Sequence, residues 1–281
     1  MAAPANTESR AGSSNEWEQV GARKSPSWYL DPLVAAQKRR VHQELVWRWT
    51  RGVAVRRVLK TDSFEEAHGD DCILFDLFPP AYSLGMDLAL STARRAQSRC
   101  PSERVRFLVS DARSLAVRPE SMDAIVSTST LDHFDTRAEF ERAIGQLAGV
   151  LRPGGVLVIT LDNPRNPLYC LLRWASRRDW LPFRLGYTTA LPGLARCLED
   201  AGLEVTATGA LIHNPRMVST LLFRALRLLL GRRADGPIRG LLEAFATLER
   251  LPTRRFTACF VAVCARKPEA RPAGLCSAVS H

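Results

Sequence analysis

Two apolar runs with an amphipathic segment between them, over residues 121–160, are the feature that most constrains this chain. The first run, Ala124–Val126, ends in small polar residues, and the second, Val156–Thr160, is entered through a Pro-Gly-Gly turn, so both are predicted to be buried strands. Between them, apolar residues recur at helical spacing, as in a helix packed on a sheet: Phe140, Ile144, Leu147 and Leu151. Strand, helix and strand form a parallel pair with a right-handed crossover, and ligands of such sheets bind beyond the carboxyl ends of the strands.

The same alternation continues on both sides of this unit. Further strands are predicted at residues 57–62, 82–87, 105–109, 203–210 and 257–265, with helices at 90–99 and 191–201. A helix over residues 28–50 precedes the sheet, with Asp31 as its cap and Pro32 in its first turn. The pattern predicts an α/β fold: a Rossmann-like, doubly wound, mainly parallel seven-stranded sheet with helices on both faces.

Composition limits the partners of such a chain. Thirty-nine Lys and Arg residues against 29 Asp and Glu give a net charge of +10, which suits nucleic acid, an anionic membrane, an acidic ligand or simply a solvated basic surface. The seven cysteines form no C-x-x-C pair, so we predict reduced thiols and no metal site. Without a signal-like or membrane-spanning segment in the sequence, we expect a cytoplasmic protein with a disordered leader over residues 1–27, one domain over 28–267 and a flexible tail over 268–281.

Short polar motifs follow the predicted strands in order. Gly85-Met86-Asp87 ends the second strand, Ser110-Asp111-Ala112 the third, and Ser127 the fourth, before Leu131-Asp132-His133-Phe134. Leu151-Arg-Pro-Gly-Gly-Val-Leu-Val158 then leads into the fifth strand. In this order and on these elements, the segment from Arg57 to about Ala265 resembles the class I S-adenosylmethionine-dependent methyltransferases.

The resemblance implies S-adenosyl-L-methionine as cofactor and assigns roles to the strand ends. Asp87, with Leu88 beside it, would accept hydrogen bonds from the ribose hydroxyls, and Asp111 would accept one from the adenine amino group near the Ala112 amide. Ser127 would line the floor near the methionine part. The alternative is structural, because Asp residues at strand ends often cap the following helix.

The first motif departs from the family pattern, because Val58–Glu66 contains no glycine where the family has a glycine-rich loop. In one interpretation the loop is rebuilt: Thr61 or Asp62 contacts the cofactor, and a capping box, Ser63-x-x-Glu66, starts a helix that receives the cofactor's carboxylate. In the other interpretation cofactor binding has been lost. Asp62 is equally compatible with a structural role, in which it only marks the start of the following helix.

Methyl transfer to an oxygen acceptor needs a base, and two histidines follow predicted strands. His133 lies after the fourth strand, where Asp132 either tunes it or turns the chain, and His213 lies after the sixth strand. Both are candidate catalytic residues, although a single histidine more often has a structural role.

Two segments outside the strand and helix pattern, residues 165–190 and 214–255, are predicted to form a lid or helical insertions on the acceptor side. Within the second, residues 217–233 are predicted to form a basic amphipathic helix that either contacts an anionic membrane or covers the sheet or the pocket. No nucleic-acid recognition module is present in the sequence, so we expect no nucleic-acid partner, and we infer no obligate protein partner.

These features predict S-adenosylmethionine-dependent methyl transfer to a small-molecule or lipid-like acceptor. The alternative is a catalytically silent methyltransferase-like binding module, which would act at a membrane surface.

Overall fold

The computed structural model describes residues 17–19, 31–69, 77–79, 81–100, 102–178, 180 and 185–269. Most of the leader predicted for residues 1–27, and residues 270–281 of the predicted tail, lie outside the described residues. Among the described helices, none combines the length and the apolar character that crossing a membrane requires.

One sheet of seven strands runs through the described part of the chain, in the order β3-β2-β1-β4-β5-β7-β6. The neighbours from β3 to β5 pair in parallel, whereas β7 is antiparallel to both β5 and β6. The predicted doubly wound, mainly parallel sheet is therefore confirmed. The strands are β1 (Arg57–Lys60), β2 (Tyr82–Asp87), β3 (Val105–Val109), β4 (Met122–Thr128), β5 (Leu151–Asp162), β6 (Glu204–Leu211) and β7 (Phe260–Arg266).

The helices lie between and after these strands. They are α1 (Pro32–Trp49), α2 (Phe64–His68), α3 (Leu90–Arg99), α4 (Arg137–Val150), α5 (Tyr169–Arg177), α6 (Leu191–Asp200), α7 (Arg216–Leu230), α8 (Asp235–Ala246) and α9 (Arg254–Thr257). Short 3-10 turns cover Leu131–His133, Gly231–Ala234 and Thr247–Arg250.

Helices cover both faces of the sheet because the central strands are apolar on both sides, as buried parallel strands are. On one face, α4 buries Phe140 and Leu147 fully in a cluster with Ile125 of β4 and Leu157 of β5. On the other face, α1 packs Leu45 and Val46 against Val58, Val126 and Val158. The carboxyl edge is left for polar residues.

Local capping explains where two of the helices begin. The Asp31 carboxylate accepts a hydrogen bond of 2.9 Å from the Leu33 amide, so α1 begins as its sequence predicts. A complete capping box between Thr136 and Glu139 begins α4. The box predicted at Ser63 and Glu66 is wrong: the Ser63 hydroxyl donates to the Met86 carbonyl instead, although α2 does begin after Ser63.

Strand β5 begins earlier than the sequence indicates. Leu151 already pairs with Met122, and the Pro-Gly-Gly segment lies within the strand, with a shift of register between Met122 and Ala124. Gly154 has a φ of 78°, a left-handed conformation that glycine adopts without steric cost. The predicted turn is therefore an irregularity inside a longer strand.

Candidate functional site

The glycine-free first loop is tied to the loop after β4 by a chain of hydroxyl groups. Thr61 Oγ1 lies 2.9 Å from Ser127 Oγ and 3.0 Å from Thr130 Oγ1, and the Thr130 hydroxyl donates to Asp62 Oδ2 at 3.1 Å. Thr61 and Ser127 are buried, whereas Asp62 is only partly buried. Of these residues predicted to contact the cofactor, Asp62 is therefore the one that offers its side chain to a ligand, and Thr61 and Ser127 support it.

A fully buried lysine, Lys60, underlies this loop, and the sequence pattern did not single it out. Lys60 Nζ donates to Glu66 Oε2 at 2.8 Å and to the Asp62 carbonyl at 3.0 Å. Burial alone would lower the pKa of Lys60, but the carboxylates of Asp62, Glu66 and Glu65 together raise it above its ordinary value. Lys60 therefore stays charged and holds the loop in place without glycine. The available signal was a lysine inside a buried strand with a glutamate six residues later.

Asp87 lies at the carboxyl end of β2, as predicted. Its Oδ1 accepts from the Ala89 amide at 2.9 Å, and its Oδ2 accepts from the Ser63 amide at 3.1 Å. Burial raises the pKa of Asp87 to about 6, against the effect of these two donors. Each oxygen keeps a lone pair for a ribose hydroxyl, and the neighbouring Leu88 is partly buried beside it. The Ser63 amide, however, is already used, so it does not remain for a cofactor carboxylate.

Asp111, after β3, already has a cation as its partner. The guanidinium of Arg113 meets both carboxylate oxygens, at 3.0 Å from Nε to Oδ1 and 2.8 Å from Nη2 to Oδ2. The Arg113 amide also donates to Oδ1, and Ala112 between them is buried. An adenine amino group would have to displace Arg113, which also pairs with Glu139. Asp111 therefore fits the role implied by the resemblance less well than Asp87 does.

A helical turn at residues 17–19 contacts both sides of this site. The Glu18 carboxylate accepts from the amides of Leu90 and Ser91 at the start of α3, at 3.2 Å for Ser91. The Trp17 ring packs edge-on against the His133 ring, with 5.0 Å between the ring centres. These residues fall in the segment predicted to be the leader, and their local sequence carries no signal for a contact with residues 90 and 133.

The predicted lid segment 165–190 returns across the ends of β4 and β5. The Gly186 amide donates to the Asp132 carbonyl at 2.8 Å, and the Thr188 hydroxyl donates to the Asp162 carbonyl at 2.6 Å. A side chain on Gly186 would collide with the Phe134 carbonyl, so glycine is required for this close approach. Residues 185–188 thus lie over the ends of β4 and β5.

Two buried carboxylates meet where β4 and β5 end. Asp132 Oδ2 accepts from the Asp162 amide at 2.8 Å and from the Ser129 hydroxyl at 3.0 Å, so the Asp132 carboxylate turns toward β5. Arg216 Nη2 lies 2.7 Å from Asp162 Oδ1. Burial raises the pKa of Asp162, and the Arg216 charge opposes that rise. Burial, with the charges of Asp162 and Asp132, also raises the pKa of Tyr169.

A small cavity of about 30 Å³ lies beside this ion pair, between α5 and α7. Asp162 and Arg216 form part of its wall, and the rest is largely apolar, including Leu168, Leu171 and Val218. A volume of this size accommodates only one or two water-sized groups. An acceptor would therefore have to part α5 from α7 to enter fully.

The two candidate histidines occupy different places. His133 ends the 3-10 turn after β4 and is partly buried at the edge described above. His213 follows β6, three strand positions from β4, which corresponds to about 14 Å across the sheet. It is buried, its Nδ1 lies 2.8 Å from Thr257 Oγ1, and burial lowers its pKa with help from Arg254. The structure therefore groups His133, and not His213, with Asp62 and Asp87.

Metal ligation has no support among the described residues, in which no group of three or more His, Cys, Asp or Glu side chains could hold an ion.

Comparison with known proteins gives the same assignment for the central part of the chain. The methyltransferase domain family matches residues 71–159. An uncharacterized methyltransferase of Mycobacterium tuberculosis is 34% identical over 99 residues, which are 34% of this chain and 48% of that protein. The demethylmenaquinone methyltransferase of Thermus thermophilus is 33% identical over 139 residues, 49% of this chain and 57% of that protein. The chain thus spans about half the length of these relatives.

Solved structures share the fold at low sequence identity. The N-methyltransferase NodS of Bradyrhizobium japonicum, in complex with S-adenosyl-L-homocysteine, aligns with a TM-score of 0.56 at 16% identity, over 91% of this chain and 98% of its own. The [4+2]-cyclase SpnF aligns with a TM-score of 0.57 at 19% identity, over 96% and 98%. The fold alone therefore does not decide the reaction. In its sheet order and in the family match over residues 71–159, the chain is thus similar to the class I S-adenosylmethionine-dependent methyltransferases.

Proposed function

We propose that this protein transfers a methyl group from S-adenosyl-L-methionine to a small-molecule or lipid-like acceptor. The observation that carries the proposal is the Asp87 carboxylate, which lies at the end of β2 with one amide donor on each oxygen and a free lone pair on each. Such a carboxylate can accept both hydroxyls of a ribose at once. The cofactor, when bound, supplies a methyl group on a positively charged sulfur.

Asp62 supports the same cofactor by charge. The cofactor carries an ammonium group as well as its sulfonium, and Asp62 stands in the loop where the family has glycine. Its Oδ2 accepts from the Thr130 hydroxyl at 3.1 Å and its Oδ1 from Lys60 Nζ at 3.3 Å, so the carboxylate is fixed rather than free to rotate. We infer that Asp62 receives the cofactor's ammonium group and that Thr61 and Ser127 keep it in position.

His133 is the better placed of the two candidate bases. It ends the turn after β4, and the Trp17 ring restricts the rotation of its imidazole. A neutral imidazole can take the proton that an oxygen or nitrogen acceptor loses during transfer. His213 is buried about 14 Å away across the sheet, so we assign it a structural role with Thr257.

The acceptor side favours an apolar molecule. Leucines of α5 and Val218 of α7 form much of the cavity wall, with Asp162 and Arg216 at its polar end. The relative named as a demethylmenaquinone methyltransferase is consistent with such an acceptor. Another relative, 32% identical over 85 residues, is named as a tRNA methyltransferase of Arabidopsis thaliana. Transfer to tRNA should therefore be tested beside transfer to an apolar acceptor.

The test is calorimetric titration with S-adenosyl-L-methionine and with its demethylated product, S-adenosyl-L-homocysteine. We expect micromolar binding, weakened by about 30-fold or more in Asp87→Ala because two charge-assisted hydrogen bonds are lost. Asp200→Ala is the matched control, since Asp200 is exposed at the end of α6 and its loss should leave the affinity unchanged. No binding at millimolar ligand would reject the proposal.

The rival function is the catalytically silent module. It is favoured by two observations: the carboxylate of Asp111 is already paired with Arg113, and the first loop has no glycine. It predicts that the protein releases no labelled methyl group to any acceptor fraction, apolar extract or tRNA, even where S-adenosyl-L-homocysteine binds. Transfer to the apolar extract with Asp87 dependence would exclude the silent module.

A further inference from the structure

The apolar stripe of α7 faces outward. At about 100° per residue, five of its side chains fall within a stripe about 120° wide: Val218, Leu221, Leu222, Leu228 and Leu229. Leu221, Leu228 and Leu229 are 67%, 87% and 81% exposed. The opposite side of the helix buries Phe223 against Ile238 and Leu242 of α8. A helix that simply covers a domain buries its apolar stripe, so the orientation of α7 requires another explanation.

Helix α5 adds a second apolar surface that joins the first. Leu168, Leu171 and Trp174 follow one another at a spacing of three residues, and all three are exposed. Leu168 and Leu171 line the same cavity as Val218, so the two surfaces meet at the cavity mouth. We call the outward side of α5 and α7, from Leu168 to Trp174 and from Val218 to Leu229, the docking face. A continuous exposed apolar surface of this kind marks an interaction site.

Arginines surround the docking face. Residues 205–234 contain no acidic residue. Arg224, Arg232 and Arg233 are exposed and make no ion pair with any described residue. Arg227 differs, since it pairs with Asp31 and Asp235 and thereby fixes α7 to the domain. The Arg178 guanidinium lies 5.1 Å from the Trp174 ring centre, at the other end of the face. The face is therefore apolar at its centre and positive at its rim.

This distribution selects one occupant among three. A second copy of the chain would bring arginine rims together across a two-fold interface, which like-charge repulsion opposes. Nucleic acid would pair with the arginines but would leave several exposed leucines in contact with phosphate or water. An anionic bilayer takes both parts, because its headgroups accept arginines while the acyl-chain boundary accepts leucine and tryptophan side chains.

We propose that the docking face binds the surface of an anionic membrane. The leucines of α7 enter the acyl-chain boundary, and the arginines contact lipid phosphates. The cavity mouth between Leu171 and Val218 then opens toward the bilayer, so a lipid-like acceptor enters it without crossing water. This last step rests on the proposed function; the membrane contact itself does not.

The experiment is flotation of the full chain with vesicles, using phosphatidylcholine alone and an equal mixture of phosphatidylcholine and phosphatidylglycerol. We expect binding to the mixed vesicles, reduced about tenfold or more in Leu228→Ser/Leu229→Ser because buried apolar area is lost. Arg232→Gln/Arg233→Gln should reduce binding to the mixed vesicles by about the same factor and leave binding to phosphatidylcholine vesicles unchanged. Tyr82→Ser is the matched control, since Tyr82 is 63% exposed at the amino end of β2, away from the docking face.

Three outcomes would overturn the proposal. The first is unchanged vesicle binding in the leucine pair. The second is a dimer in light scattering that the leucine pair abolishes, which would make the face a contact between copies. The third is absence of vesicle binding together with tRNA binding that the arginine pair abolishes. Calorimetry with S-adenosyl-L-homocysteine on the same preparations separates the two proposals: vesicle binding without cofactor binding rejects methyl transfer and leaves the membrane contact standing.

Discussion

Replacing Lys60 by methionine removes the ammonium group that lies 2.8 Å from the fully buried Glu66 carboxylate. Methionine fills much of the same space, so the change mainly leaves Glu66 without its cation. Breaking one partner of a buried ion pair costs about 3–5 kcal/mol of unfolding free energy. Glu66 can protonate to relieve part of this cost, so we expect a loss of about 3 kcal/mol at neutral pH, or a fall in Tm of about 6–12 °C.

The pH dependence of this loss has a definite sign. Burial raises the pKa of Glu66 even with Lys60 present, and removing the ammonium raises it further. A carboxyl whose pKa is higher in the folded than in the unfolded protein favours folding at low pH, and this contribution is lost as pH rises through the folded pKa. The destabilisation caused by Lys60→Met should therefore be smaller at acidic pH, near the ordinary glutamate pKa of about 4, than at neutral pH.

A second variant separates stability from ligand binding. In Lys60→Met/Glu66→Leu the pair becomes apolar, which often restores stability, and we expect an unfolding free energy within about 1 kcal/mol of the wild type. The hydrogen bond from Lys60 to the Asp62 carbonyl is absent in both variants, so both should bind S-adenosyl-L-homocysteine more weakly than the wild type. Urea unfolding followed by circular dichroism and calorimetry measure the two effects. A single variant as stable as the wild type, or a double variant no more stable than the single one, would refute the reasoning.

Three further predictions concern the site. The pKa of Asp87 is about 6, and its ionised form accepts the ribose hydroxyls, so calorimetry should show affinity for S-adenosyl-L-homocysteine falling about tenfold per pH unit below pH 6. Asp87→Ala should bind weakly, with an affinity that does not change over the same pH range. Once an acceptor is known, His133→Ala should lower kcat by about a hundredfold or more, whereas His213→Ala should leave the kcat of the folded enzyme nearly unchanged. Arg113→Met removes the guanidinium that covers the Asp111 carboxylate, so adenosyl binding should tighten by about threefold to tenfold; weaker binding would show that Arg113 itself holds the ligand.

Sequence patterns predicted the sheet and its helices because those elements depend on local periodicity. The stripe from Phe140 to Leu147 and the apolar runs of β4 and β5 reflect burial within single elements, and the structure has them there. The insertion of β7 between β5 and β6 was not indicated, since strand order depends on packing between distant segments. The start of β5 at Leu151 was missed for a related reason: pairing with Met122 overrides the preference of Pro-Gly-Gly for a turn.

For the candidate site, the sequence likewise predicted which residues lie at the strand ends but not which partners they have. Asp87 is the last residue of β2, and the carboxyl ends of parallel strands lie at the same edge of the sheet, so its place at this edge could be predicted. Whether these groups are available to a ligand depends on partners from other segments. The Ser63 amide, which was expected to receive a ligand, donates to Asp87 instead, and the Arg113 side chain covers Asp111 in a conformation that the sequence does not specify. The contact of Glu18 with Leu90 at the start of α3 joins residues 72 positions apart, and no local pattern encodes it.

The placement of β7 affects how the protein is made. Strand β6 joins the sheet through β7, which the ribosome synthesises more than 45 residues later than the end of β6. Until residues 260–266 have emerged, β6 and the helix α7 that follows it have no edge on which to settle. During synthesis the apolar side chains that β6 and α7 bury in the folded domain, such as Leu211 and Phe223, are therefore exposed before the domain can close, and a chain that stops short of Phe260 would present them to chaperones and proteases instead of completing the sheet.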